Sequence, residues 1–74
     1  MPEVNEMKDI IIKTAGKIWS LLRKEKEVNI SQLPKMLDEK PVIVYQALGW
    51  LAREDKIAYT ETGRKIIISL AVNE

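Results

Sequence analysis

The sequence predicts an α+β fold of three helices, a short strand and a C-terminal β-hairpin. Three observations predict it. Apolar residues recur at helical spacing in three separate stretches, the alternation Val28, Asn29, Ile30 separates the first stretch from the second, and two β-rich segments close the sequence on either side of Gly63. A chain of 74 residues forms one domain, because at this size only about 60% of the surface exposed by the unfolded chain is buried, too little for two cores.

Residues 1–6 have no periodicity and contain Pro2, so they are expected to form a disordered N-terminal tail ahead of a single domain over residues 7–72. The first helix is expected over about residues 7–25, where Met7, Ile11, Ala15, Ile18 and Leu22 make a continuous apolar stripe. Ile12 and Trp19 widen that stripe on one edge. Either the hairpin of the same chain or a second subunit is expected to cover them.

Val28 to Ile30 reads as a short strand, and Ser31 as the N-cap of a second helix over about residues 32–37 that buries Leu33 and Leu37. Pro34 falls in the first turn, where its missing N–H costs no intrahelical bond. Asp38, Glu39 and Lys40 make the turn, and Pro41 suits the first position of a third helix ending near Arg53 or Glu54. Val44, Leu48 and Leu51 anchor that helix at i, i+4 and i+7. In the hairpin, a two-residue loop of Thr62 and Gly63 would set Glu61 opposite Arg64, Tyr59 opposite Ile66 and Ile57 opposite Ile68, placing all six on one face.

Composition excludes most chemistry. Cysteine and histidine are both absent, which removes nearly all zinc sites, nucleophile–base pairs and histidine acid–base catalysis, and the three glycines are too far apart for a phosphate loop. No enzyme, metal, cofactor or small-molecule substrate is expected. The longest uninterrupted apolar stretches are far short of the roughly 20 residues a membrane span needs. The first nine residues, MPEVNEMKD, lack the pattern of a signal peptide, so a cytoplasmic location is expected and the Asn29-Ile30-Ser31 glycosylation match is read as chance.

The stretch NISQLPKMLDEKPVIVYQALGWLAREDKI, with Ile30, Leu33, Leu37, Val44, Ala47, Leu48, Leu51 and Ile57 at its apolar positions, resembles the winged helix-turn-helix of many prokaryotic regulators. AGKIWSLL followed by ALGWLAREDKI looks more closely like a small family of stand-alone winged-helix chains of unknown function from bacteria and archaea. The resemblance covers residues 14–70. It implies the fold and a DNA-binding or transcription-regulatory role by analogy, with self-association as a further implication, and it brings no established activity.

Rotation of the third helix at 100° per residue about a buried centre at Leu48 puts Val44, Leu51 and Ala52 inward. Val42, Ile43, Gln46, Gly49, Trp50 and Arg53 fall on the far side. Gln46 and Arg53 there, with Arg64 and Lys65 at the hairpin, are the candidate DNA contacts, since glutamine reads an adenine edge and arginine a guanine edge or a phosphate. Electrostatics weigh against them: Lys40 and Arg53 face Asp38, Glu39, Glu54 and Asp55 over residues 38–55, a balance of −2. Positive charge gathers instead on the first helix, where Lys8, Lys13, Lys17, Arg23, Lys24 and Lys26 outweigh Asp9 and Glu25 by +4 over residues 8–26. That charge is either a solvated face or a contact to a DNA backbone. The alternative function is a protein-interaction or homodimerisation module that uses the outer face of the third helix without direct DNA contact, with Ile12, Trp19, Val42, Ile43 and Trp50 as interface candidates. Trp50 could instead fold back on the turn before its helix or on the chain termini.

Overall fold

A computed structural model describes residues 4–71. Helix α1 spans Val4–Glu25, and Thr14, Ala15, Ile18 and Leu22 on one face are almost wholly buried. The helix starts three residues earlier than expected, so residues 4–6 are helical rather than tail; residues 1–3 and 72 of the expected boundaries lie outside the described residues. Among its first turns, Met7 and Ile10 face the start of a later helix and have something to pack on.

Strand β1, Glu27–Asn29, leads into a single 3₁₀ turn over Ile30–Gln32 and then helix α2, Leu33–Leu37. The cap here is Asn29 rather than Ser31. Its Oδ1 accepts from the Ser31 backbone N–H at 3.0 Å and from the Ser31 hydroxyl at 2.9 Å, so one side chain closes the turn that Ser31 was expected to open. Pro34 sits in the first turn of α2, and Leu33 is fully buried. Helix α3 runs Pro41–Arg53 as its apolar spacing predicts.

Strands β2, Ile57–Thr62, and β3, Lys65–Leu70, form the hairpin, and β1 pairs with the outer side of β3, giving an antiparallel sheet in the order β1-β3-β2. The register differs from the expected one by two residues. Thr62 pairs with Lys65, Glu61 with Ile66, Tyr59 with Ile68 and Ile57 with Leu70, so the loop is Gly63-Arg64. Gly63, at φ 62, occupies the first central position, the place where a two-residue hairpin turn of type II′ takes glycine. A two-residue shift leaves every side chain on its expected face. Ile57 and Ile68 are buried, whereas Tyr59 and Ile66, nearer the tip, extend past the core.

The core gathers Ala15, Ile18 and Leu22 of α1, Leu33 of α2, Val44, Ala47, Leu48 and Leu51 of α3, and Val28, Ile57 and Ile68 of the sheet. Each helix ends on a residue with positive φ that is not glycine: Lys26 at 72°, Asp38 at 55° and Asp55 at 58°. Backbone bonds stabilise these ends, from Lys26 to Leu22 at 2.8 Å, Glu39 to Pro34 at 2.9 Å and Lys56 to Leu51 at 3.0 Å. These stops fix where α1, α2 and α3 end.

Candidate nucleic-acid interface and an apolar groove beside it

Helix α3 buries Ile43, Val44, Ala47, Leu48 and Leu51. The centre of its inner face thus lies nearer Leu51 and Ala47 than Leu48, a rotation of roughly 70° from the expected orientation. Ile43 is the correction that follows. Expected on the outer face, it is only 7% exposed and shares a recess with Met7 and Ile10 of α1. A rotation centred on one leucine weights only the packing against α2 and the sheet; α1 covers a second flank and pulls the buried face toward it.

The outward face of α3 is then Val42, Tyr45, Gln46, Gly49 and Arg53, all exposed. Tyr45, half-exposed, is the member that sequence reasoning missed. Its signal was available in the i, i+4, i+8 spacing of Tyr45, Gly49 and Arg53, which puts the three on one stripe. No Asp or Glu occurs between Pro41 and Arg53. Just before the helix, the Glu39 carboxylate is held by the Lys17 ammonium of α1 at 3.3 Å, which partly neutralises the charge nearest the α3 N-terminus. Asp38 is exposed. Of the other candidate DNA contacts, Arg64 lies in the hairpin turn and Lys65 opens β3, both exposed.

Trp50 sits on the flank of α3 rather than at its outermost line. It turns toward α1 and, with Leu51 and Lys56, faces Ile12, Ala15, Gly16 and Trp19 across a groove of about 270 Å³. Two aromatic residues separated by 31 positions in sequence line the same groove. The hairpin does not close it: Ile12 is 41% and Trp50 39% exposed. Arg23 lies over the Trp19 ring with its guanidinium carbon 4.8 Å from the centroid, a cation–π contact that covers one edge. Val42, the remaining interface candidate, stands apart from this groove, 55% exposed on the outer face of α3.

Gly16 lies in the middle of the groove wall. Glycine inside a helix costs about 1 kcal/mol relative to alanine. A β-carbon at Gly16 would meet no atom within 4 Å, so packing within the chain does not account for it. Among the described residues no helix is long and apolar enough to cross a membrane.

Comparison with known proteins places this geometry. Residues 7–70 match a family described as Winged helix-turn-helix domain (DUF2582). Uncharacterized protein MJ1608 of Methanocaldococcus jannaschii is 45% identical over 60 residues, which cover 77% of this chain and 84% of that protein. Two solved structures of HlyU from Vibrio cholerae N16961 share the fold. The reduced form has a TM-score of 0.70 at 16% identity, covering 92% of this chain and 76% of HlyU. The other has a TM-score of 0.69 at 17% identity, covering 97% and 83%.

Proposed function

We propose, from the fact that this chain belongs to the winged helix-turn-helix domain family DUF2582, that it is a small DNA-binding module of regulatory type that reads duplex DNA with α3. The observation that carries the reading is the outward face of α3, where Tyr45, Gln46 and Arg53 are exposed on a helix without a single carboxylate. Gln46 can pair with an adenine edge, Arg53 with a guanine edge or a phosphate, and Val42 can meet a thymine methyl. Gly49 between them lets the backbone come close. Arg64 and Lys65 at the hairpin tip supply phosphate contacts beside the groove, as the wing does in this architecture.

The net charge of +1 implies modest affinity with a shallow dependence on salt. The reading of the outer face of α3 as a protein interface loses support by comparison, because Ile43 is buried and Trp50 turns toward α1. Titration of the isotope-labelled protein with a mixed-sequence duplex at low salt tests the proposal. Amide shifts are expected at residues 42–53 and 62–65. Arg53→Ala should cost about 1–3 kcal/mol of binding, and Arg64→Ala should lower the salt slope by about 1. Absence of shifts at millimolar protein and low salt overturns the assignment.

A further inference from the structure

We infer that the recess between α1 and α2 takes an acidic amphipathic helix of a partner protein. The recess, of about 780 Å³, is lined by apolar Leu21, Met36 and Leu37 and by polar Lys17, Ser20 and Lys24. Met36 is 47% exposed and Leu21 and Leu37 are half-buried, so none of the described residues covers them. Lys13, Lys17, Ser20 and Lys24 follow one another at steps of four, three and four, which sets them along one side of α1. Neither helix carries an acid here. Residues 10–24 include Lys13, Lys17, Arg23 and Lys24, and residues 28–37 include Lys35, without one Asp or Glu in either stretch.

The charge sets the sign of the partner, and the chain's own ion pair shows what this rim holds. Lys17 takes the Glu39 carboxylate at 3.3 Å while its side chain stays 55% exposed. Lys13 and Lys24 make no ion pair among the described residues. Lys17 and Lys24 stand about 10 Å apart along α1, two helical turns, so carboxylates seven positions apart on an incoming helix reach both. Apolar side chains three or four positions apart on that helix then cover Leu21, Met36 and Leu37, and the unbranched methionine adapts to what it meets. A nucleic-acid backbone would satisfy the lysines and leave the apolar residues in water. Only an amphipathic segment fits both halves of the recess. No residue of α3 or of the hairpin lines it, so the inference stands apart from the reading of DNA by those elements.

Titration of the isotope-labelled full chain with synthetic peptides tests it. The probe is a helical peptide of about 16 residues made of Glu, Leu and Ala, with leucines on one face and glutamates on both flanks; its control has the same composition in scrambled order. The amphipathic peptide should give saturable amide shifts at residues 13–24 and at Met36 and Leu37, with a Kd of about 10 µM to about 1 mM. The scrambled peptide should bind at least about fivefold more weakly. Lys24→Glu should weaken the amphipathic peptide by about tenfold at low salt and Met36→Ala by about fivefold; both positions are exposed, so the fold is retained. Absence of saturable shifts at about 1 mM peptide, or equal binding of the two peptides, overturns the inference. So do peptide shifts centred on Trp19 and Trp50 instead, shifts of Met36 and Leu37 on dilution of the protein alone, which would seat a second copy there, or displacement of the peptide from these residues by duplex DNA.

Discussion

Lys17 and Glu39, 22 positions apart in the chain, meet at 3.3 Å and tie the middle of α1 to the turn that launches α3. The pair joins two of the sequence's most evident electrostatic features, the basic first helix and the acidic approach to the third. Viewed along the sequence, Asp38 and Glu39 are two carboxylates that would repel a phosphate at the α3 N-terminus. In the folded chain one of the two has a cation beside it.

Glu39→Gln separates the structural from the functional effect of that pair. Because the Lys17 side chain is more than half exposed, the loss of stability should be below about 1 kcal/mol. Duplex DNA should bind tighter by a few fold, on the order of 1 kcal/mol or less at low salt, and the gain should disappear as salt screens it. Urea denaturation and fluorescence anisotropy measure the two quantities. Equal DNA affinity of the two proteins at low salt would mean that the α3 N-terminus does not approach phosphate.

Adjacent residues on α3 test where its inner face lies. Ile43→Ala should destabilise by about 2–5 kcal/mol and Ile43→Val by about 0.5–1.5 kcal/mol, because the side chain is buried, in a recess it shares with Met7 and Ile10. Val42→Ala, at an exposed position, should stay within about 0.5 kcal/mol. A domain of this size has only a few kcal/mol in hand, so the valine variant is the one to follow quantitatively by chemical denaturation. A similar cost at both positions would return Ile43 to the surface.

The element order was legible in the sequence because the apolar period changes from 3.6 to 2 at residues that also carry turn signals, and Pro41 marks the start of α3 unambiguously. Three features were not legible, each for a physical reason. The hairpin register is hidden because a shift of two residues preserves both faces, so only the position of Gly63 in the turn decides it. The helix ends at Lys26, Asp38 and Asp55 adopt positive φ without glycine, stabilised by local backbone bonds that residue type does not announce. That Trp19 and Trp50 line one groove depends on how α1 lies across α3, and periodicity within one helix carries no information about that crossing.

Tyr59 gives the hairpin a dependence on pH. It stands opposite Ile68 on the inner face of the sheet, half-exposed, and partial burial raises its phenol above the ordinary value of 10.0 by disfavouring the phenolate. The folded chain then holds this proton more tightly than the unfolded chain does. Its contribution to stability is fully present below pH 10.0 and is lost as pH rises through the higher folded value. Lysines also titrate in this range, so the comparison is with Tyr59→Phe, which keeps the ring and the lysines and removes the ionisation. Between about pH 9 and about pH 11, the urea midpoint of the wild type should fall faster than that of the phenylalanine variant. Parallel curves would place the hydroxyl in water, and with it the tip of the sheet's inner face.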